Sequence, residues 1–214
     1  SANYNGKEQA VTTDKIDLGT LSSDWKKTDF TIGEVKGDIT NVTEDGVTVT
    51  LVPTKPGYTG VLTRKYEIKP LKLDGTTNTI ADYIKAEVVN PQVAYTGNAI
   101  APKKTDVKLI DKKTGADLSG YIASVGTIAK VDAIAGKSQA LEITLNKDTD
   151  GAVKNYEITA PSAKITTANT LTVTPRDLST VNIEVPELQT NGSTVIDTSK
   201  VIFTDKTTGD TLTL

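Results

Sequence analysis

Short runs in which apolar and polar residues alternate strictly recur along the chain. The clearest are Val-Thr-Val-Thr-Leu at residues 47–51 and Leu-Glu-Ile-Thr-Leu at residues 141–145. Successive side chains of a strand point to opposite faces, so each run predicts a β-strand with one apolar face. Turn signals such as Glu-Asp-Gly at residues 44–46 separate these runs. The pattern therefore predicts an all-β protein built from short strands.

One segment departs from the alternation. Ile80, Tyr83 and Ile84 have the spacing of a helical face, and Asn78 stands where a helix N-cap would be. The segment fits either a short helix that leads into a strand or a plain strand start.

The strand pattern is repeated. Residues 141–145 follow residues 47–51 by 94 positions (141 − 47), and the Asp-Lys-x-Thr-Gly turn at residues 111–115 recurs at residues 205–209, also 94 positions later (205 − 111). A period of this size matches the length of one small β-sandwich domain, which is about 100 residues. We therefore expect a duplicated domain rather than a single large one.

The pattern predicts three repeats at residues 1–73, 74–168 and 169–214. The first repeat lacks its first strand, the second is complete, and the third contains only its first half. Two explanations remain open for the incomplete ends. The chain is a piece of a longer repetitive protein, or its open edges pair between molecules, because unpaired edge strands are ready templates for pairing.

A short motif opens the repeats. Its fullest form is Tyr-Thr-Gly-Asn-Ala-Ile-Ala-Pro at residues 95–102, and an earlier form begins Tyr-Asn-Gly at residues 4–6. A later form, at residues 190–195, has lost the tyrosine. Tyr-Glu-Ile at residues 66–68 and again at residues 156–158 reads as the closing strand of a repeat.

These opening and closing motifs resemble the bacterial Ig-like repeats of large surface proteins, of the MBG-like or YDG type. The first copy departs from the family pattern at Val11, which replaces the proline, and the second at Ala160. The resemblance implies tandem Ig-like β-sandwich domains in an adhesin, an S-layer protein or the stalk of a secreted enzyme. It implies no catalytic residues.

Composition narrows the possible chemistry. The 214 residues include no Cys, Met or His, which excludes thiol nucleophiles, thiolate and imidazole metal sites, and serine triads with a histidine base. The absence of Cys and Met suits an oxidising exterior. A net charge of −3 argues against nucleic acid as a partner, and no apolar run approaches the roughly 20 residues of a membrane span.

One local pattern suggests a metal. Asn146, Asp148 and Asp150 alternate ahead of Gly151, and Glu157 follows, as in a calcium-binding loop. The flanking segments read as strands rather than the helices of an EF-hand, and Glu157 belongs to the Tyr-Glu-Ile strand. The alternatives are a calcium site formed by Asn146, Asp148 and Asp150 and an ordinary polar connection between strands.

Paired carboxylates at residues 44–45 and at Asp148 and Asp150 are the only candidates for hydrolytic chemistry, and the few aromatic residues provide no evident sugar-stacking platform. The single tryptophan, Trp25, is expected to be an anchor in the core or between domains, with ligand stacking as the alternative.

We therefore expect a non-enzymatic structural module of a secreted bacterial cell-surface protein, located extracellularly, that spaces or assembles a surface layer or filament. Its partners would be neighbouring domains or copies of the same protein. The alternative is an adhesin domain that binds a glycan or host protein. No cofactor is expected other than the calcium already considered.

Overall fold

The computed structural model describes residues 1–147, 155–185, 198–206, 209 and 211–212. Strands account for 41% of the structure and helical turns for 12%, so the predicted all-β class is confirmed. The longest α-helix among these residues has four residues. Accordingly, none of the helices in the described ranges has the length and apolar character needed to traverse a bilayer.

The strands of the described residues are short. They are β1 (Ala2–Asn3), β2 (Phe30–Lys36), β3 (Val47–Pro53), β4 (Leu62–Tyr66), β5 (Ile68–Lys69), β6 (Leu71–Leu73), β7 (Ile84–Val88), β8 (Gln92–Ala94), β9 (Val107–Asp111), β10 (Ile122–Val125), β11 (Ser138–Leu145), β12 (Tyr156–Ile158), β13 (Lys164–Thr174), β14 (Val181–Glu184), β15 (Ile202–Asp205) and β16 (Thr211–Leu212). Helix α1 spans Ile80–Tyr83, and 3₁₀ turns lie at Thr13–Lys15, Lys27–Asp29, Lys104–Asp106, Ser119–Tyr121, Leu178–Thr180 and Thr198–Lys200.

The chain forms two compact units. The first contains Ser1–Ile84, Ile110–Tyr121 and Asn146–Ala163. Its main sheet is antiparallel in the order β2-β3-β4, with parallel pairs β1-β5 and β6-β12 beside it. The predicted strand at residues 47–51 lies at the centre of this sheet, and its apolar residues Val47, Val49 and Leu51 are fully buried.

The second unit contains Lys85–Leu109, Ile122–Leu145 and Lys164–Leu214. It has a four-stranded sheet in the order β10-β11-β13-β8 and a three-stranded antiparallel sheet in the order β14-β15-β16. Strands β7 and β9 also pair with each other, and most of their residues belong to this unit. These units are discontinuous in sequence. The repeat boundaries at residues 1–73, 74–168 and 169–214 stay a prediction.

The predicted strand at residues 141–145 is confirmed within β11. Strand β11 pairs with β13 from Thr144↔Lys164 onward, whereas β12 runs parallel to β6 with Tyr156 opposite Leu71. The two copies of the motif are alike in that Ile68 and Ile158 both pair in parallel, with Ala2 and Leu73 respectively. A three-residue strand motif does not specify its partner, because pairing is decided by long-range contacts.

The opening motif lies directly after a strand in both copies. Strand β1 ends at Asn3, and β8 likewise ends at Ala94, just before Tyr95. Both strands run parallel to their partners, β5 and β13. The tyrosine of the motif therefore marks the end of a strand, and the glycine two residues later turns the chain.

Of the two alternatives for residues 80–84, the structure has the short helix, α1, which leads into β7. The N-cap is Thr79 rather than Asn78, because the Thr79 hydroxyl accepts a hydrogen bond from the Asp82 N–H at 3.3 Å. The Asp82 carboxylate in turn accepts from the Thr79 N–H at 3.3 Å, which completes a capping box. Asn78 instead accepts the hydroxyl proton of Tyr83 at 2.9 Å.

The alternation in β3 leads to a direct test. Leu51→Ala removes a fully buried side chain from the centre of the first unit's sheet and is expected to lower the free energy of unfolding by about 2–5 kcal/mol. Val52→Ala, at the adjacent and 37% exposed position, is the matched control and should cost under about 1 kcal/mol. Guanidinium unfolding curves measure both. Equal losses would contradict the assignment of faces.

Candidate functional site: a buried tyrosine–aspartate cluster

Asp111 begins the repeated Asp-Lys-x-Thr-Gly turn and is almost completely buried. Its Oδ1 accepts hydrogen bonds from the backbone N–H groups of Lys113 and Thr114 at 2.7 and 3.2 Å. Its backbone carbonyl accepts a hydrogen bond from the Gly115 N–H at 2.8 Å. The motif thus forms a turn that supplies its own hydrogen-bond partners. An aspartate suits this position because its short side chain reaches the backbone two residues ahead.

The other carboxylate oxygen of Asp111 joins distant parts of the first unit. Its Oδ2 accepts hydrogen bonds from the hydroxyl groups of Tyr4 at 2.9 Å and Tyr156 at 3.1 Å. The two tyrosine rings meet edge to face, with centroids 5.3 Å apart and an interplanar angle of 84°. One buried carboxylate therefore connects residues that are 107 and 45 positions away in sequence.

Other aromatic residues surround this cluster. The ring of Tyr83 lies 6.1 Å from that of Tyr156, and the Lys113 ammonium lies 4.8 Å from the Tyr83 centroid. The Tyr121 hydroxyl donates to the backbone carbonyl of Tyr156 at 3.1 Å. Four of the seven tyrosines, Tyr4, Tyr83, Tyr121 and Tyr156, thus contribute to one core region of the first unit.

Backbone conformation and close packing both favour glycine at the third position of the opening motif. Gly6 has a φ of +75°, which disfavours other residues, and an added Cβ would lie only 2.8 Å from the Cβ of Lys113. Gly97, its counterpart 91 positions later, also has a φ of +75°. The Tyr-x-Gly motif at residues 4–6 is therefore shaped to fit against the Asp-Lys-x-Thr-Gly turn at residues 111–115.

The environment of the two tyrosines disfavours their ionisation. Burial, followed by the hydrogen bond to Asp111, raises the pKa of Tyr4 to about 12. Burial and then the negative charge of Asp111 raise the pKa of Tyr156 further above its usual range. Both phenols are therefore neutral hydrogen-bond donors at physiological pH. The arrangement is suited to holding chain segments together.

The second unit has a related arrangement at the equivalent turn. Asp205, 94 positions after Asp111, forms an ion pair with Arg176, and both side chains are about nine-tenths buried. The Arg176 Nη1 also donates to the backbone carbonyl of Tyr95 at 3.3 Å. The aspartate and the neighbouring opening motif thus recur, and in this unit an arginine side chain pairs with the carboxylate.

The predicted calcium ligands are only partly within the described residues. Asn146 is exposed, and its backbone N–H donates to the Tyr121 carbonyl at 2.8 Å. Asp148 and Asp150 lie outside the described residues. Glu157 forms a surface ion pair with Lys72 at 3.6 Å. Across the part of the chain that the structure describes, no three acidic side chains are grouped to hold a metal ion, and the calcium loop stays a prediction.

Trp25 is an anchor within the first unit. Its ring stacks on Phe30 at the start of β2 with centroids 5.1 Å apart, and the Lys55 ammonium lies 4.9 Å from its centroid. Tyr58 meets it edge-on at 4.7 Å. The indole therefore attaches the loop between β3 and β4 to β2, while Tyr58 itself stays 56% exposed.

A surface depression of about 380 Å³ lies in the first unit beside β2. Glu8, Gln9, Ala10, Val11, Val35 and Ile39 line it. Glu8 is the one carboxylate in this lining, whereas hydrolysis by paired carboxylates requires two across a cleft. Gln9 is its other polar side chain, and the remaining lining residues are apolar.

Comparison of the chain with protein-family models, with curated proteins and with solved structures finds no match.

The sequence contains a signal for the tyrosine–aspartate cluster, since the Tyr-x-Gly and Asp-Lys-x-Thr-Gly motifs both repeat. By themselves these motifs indicate only the start of a repeat and a turn. That Tyr4, Asp111 and Tyr156 meet follows only from the fold.

Asp111→Asn tests how much the cluster contributes to the free energy of unfolding. The amide keeps the size of the side chain but replaces a charged acceptor with a neutral one, so the free energy of unfolding is expected to fall by about 1–3 kcal/mol. Glu157→Gln is the control, because its exposed pair with Lys72 should contribute less than about 1 kcal/mol. Chemical unfolding monitored by circular dichroism compares the variants. A loss for Glu157→Gln as large as for Asp111→Asn would contradict the assigned role.

The raised tyrosine pKa values predict a loss of stability at high pH. Free tyrosine ionises near pH 10, so above this pH the unfolded chain releases protons that the folded protein retains on Tyr4 and Tyr156. The stability that each contributes is complete below pH 10 and is lost as the pH rises. Between about pH 10 and 12 it should decrease by at most about 1.4 kcal/mol per pH unit for each tyrosine.

Thermal unfolding at a series of pH values measures this loss. Tyr4→Phe should give a shallower decline above pH 10, whereas Tyr58→Phe, which changes an exposed tyrosine, should follow the parent curve. Identical pH profiles for the parent and Tyr4→Phe would exclude the assigned contribution of Tyr4.

Calorimetry tests the predicted calcium loop. Titration of Ca²⁺ into the parent protein should release or absorb heat that is lost in Asp148→Ala and in Asp150→Ala, because each removes an oxygen ligand. Glu157→Gln should retain the signal, since Glu157 pairs with Lys72. Absence of a heat signal in the parent would end the calcium hypothesis.

Proposed function

We propose that the chain is a non-enzymatic structural module of a secreted bacterial cell-surface protein, made of tandem Ig-like β-sandwich domains. Its role is to space or assemble a surface layer or filament outside the cell. The predicted repeats at residues 1–73, 74–168 and 169–214 would be its building units. Its partners would be neighbouring domains or copies of the same protein.

The observation that best supports this proposal is the contact of Asp111 with Tyr4 and Tyr156. It joins a residue near the N-terminus to two segments more than 100 positions away, inside a buried core. A spacer under tension benefits from such ties, because several buried hydrogen bonds must break before the terminal segment is released. The parallel pairing of β1 with β5 holds the same terminal segment.

The composition agrees with an exterior location. The chain has no Cys or Met to oxidise, and Thr, Lys and Asp are abundant on its strands and turns. The resemblance to bacterial Ig-like repeats points in the same direction.

An adhesin domain that binds a glycan or host protein is the second candidate. It is favoured by the loop between β3 and β4, where Tyr58 and Val61 are 56% and 65% exposed. An exposed tyrosine beside Lys55 offers an aromatic face and a charge to a ligand.

Stretching single molecules by their two ends tests the mechanical role. The parent should unfold in distinct force peaks, and Tyr4→Phe should lower the peak of the first unit because it removes the Tyr4–Asp111 hydrogen bond. Tyr58→Phe is the control and should leave the peak unchanged. Extension of the parent without a force peak would contradict a mechanical function.

Assembly and ligand binding separate the two candidates. Sheets or filaments of the purified protein in electron micrographs would favour the structural module. Retention of a soluble monomer on a glycan or host-protein array, with loss of retention in Tyr58→Ala, would favour the adhesin.

A further inference from the structure

The opening motif of the first unit contains an asparagine directly before a glycine. Asn5 is exposed, and Gly6, which follows it, has a φ of +75°. In such a pair the backbone nitrogen of the glycine can attack the side-chain amide carbon of the asparagine, because no side chain at the second position hinders the approach. One short turn therefore holds the reacting atoms of a deamidation.

Two donors hold the amide oxygen of Asn5. Its Oδ1 accepts hydrogen bonds from the Lys7 N–H at 2.9 Å and from the Gln9 Nε2 at 2.6 Å. Gln9 is itself fixed, because it is only 8% exposed and its Nε2 also donates to the Lys7 carbonyl at 3.0 Å. Negative charge develops on the amide oxygen when a nucleophile adds to the amide carbon. The two donors are thus placed to stabilise that charge, as in an oxyanion hole.

The second copy of the opening motif forms a similar turn without an amide at this position. Gly97 again has a φ of +75°, and the Thr96 Oγ1 accepts a hydrogen bond from the Asn98 N–H at 3.3 Å, as the Asn5 Oδ1 does from Lys7. A threonine therefore satisfies the turn. The backbone conformation does not require the asparagine of the first copy.

The residues on either side of Asn5 leave no room for a longer backbone. The Tyr4 N–H donates to the Lys69 carbonyl at 2.8 Å, and its hydroxyl donates to Asp111 at 2.9 Å. Gly6 packs so closely that an added Cβ would lie 2.8 Å from the Cβ of Lys113. An isoaspartyl link inserts one methylene, a bond length of about 1.5 Å, into the main chain between these fixed points.

We propose that Asn5 is a site of spontaneous modification, at which the chain converts its own asparagine to aspartate and isoaspartate. The Gly6 nitrogen forms a bond to Cγ of Asn5, the bond from Cγ to Nδ2 breaks, and ammonia leaves with the proton of the Gly6 N–H. The resulting succinimide then adds one water molecule. Opening at the side-chain carbonyl gives aspartate, and opening at the backbone carbonyl gives isoaspartate.

The two products differ in their effect on the first unit. Aspartate keeps an oxygen that accepts hydrogen bonds from Lys7 and Gln9, so the turn is retained. Isoaspartate lengthens the backbone and displaces Tyr4 from Asp111. The segment that carries Tyr4 is therefore released from the core of the first unit as the protein ages.

Peptide mapping tests the reaction. The parent is kept at one mildly alkaline pH with and without guanidinium chloride, then digested briefly with trypsin, which releases residues 1–7 with Asn5. Mass spectrometry measures conversion of the amide to the acid, and chromatography separates the two products. Conversion is expected to be at least as fast in the folded protein as in the unfolded chain. Slower conversion in the folded protein would overturn the proposal, because it would show that the fold protects Asn5.

Gln9→Met isolates the contribution of the side-chain donor. The variant keeps the length of the side chain but removes the amide, so conversion should slow about fivefold, the effect of losing one hydrogen bond to the transition state. Glu8→Gln, at the exposed neighbouring position, is the matched control and should convert at the parent rate. Circular dichroism verifies that both variants fold. Conversion of Gln9→Met at the parent rate would contradict the activation of Asn5 by Gln9.

Aged protein tests the release of Tyr4. The isoaspartyl fraction of the incubated parent should unfold at a lower guanidinium midpoint than the fresh parent, whereas Asn5→Asp, which reproduces the other product, should match the fresh parent. Asn5→Thr copies the second repeat and has no amide to react, so its midpoint should not change on incubation. Equal midpoints for the isoaspartyl fraction and the fresh parent would exclude the release of Tyr4.

Discussion

The first unit depends on the burial of one carboxylate. An aspartate removed from water is costly unless its oxygens receive hydrogen bonds. Asp111 receives four, from the N–H groups of Lys113 and Thr114 and from the hydroxyls of Tyr4 and Tyr156. If either tyrosine moved away, a buried charge would lose part of its stabilisation. The three segments that carry these residues are therefore held in one arrangement, and the parallel strand pairs lie beside it.

This constraint gives the repeated motifs a common physical meaning. The Tyr-x-Gly motif at residues 4–6 provides a phenol and a close backbone approach, and the Asp-Lys-x-Thr-Gly turn provides the acceptor. In the second unit the equivalent aspartate, Asp205, pairs with Arg176, which also donates to the Tyr95 carbonyl. Two tyrosine hydroxyls thus contact the buried carboxylate of Asp111, and a guanidinium contacts the equivalent carboxylate of Asp205.

The second unit also shows what a repeated sequence leaves undecided. The apolar positions of β7 and β9 recur in β14 and β15, yet Val88 and Leu109 are buried while Ile183 is half exposed. The apolar character of a sheet face favours its burial. It does not specify which other strands bury it, because that depends on the long-range packing of the chain.

Local alternation and turn chemistry were sufficient to predict the all-β class and the strands at residues 47–51 and 141–145, and they left the helix near Tyr83 as one of two alternatives, since these features depend on residues close in sequence. Partners in space were not predictable in this way. Tyr156–Ile158 pairs in parallel with Leu71–Leu73, which lies 85 positions earlier (156 − 71), and β11 takes Lys164–Thr174 as its neighbour. The meeting of Tyr4, Asp111 and Tyr156 was equally hidden. The sequence by itself determined which residues form strands and turns, because backbone preference and side-chain alternation act locally. Only the tertiary structure decided which of them meet, because that choice depends on the simultaneous burial of side chains far apart in the chain.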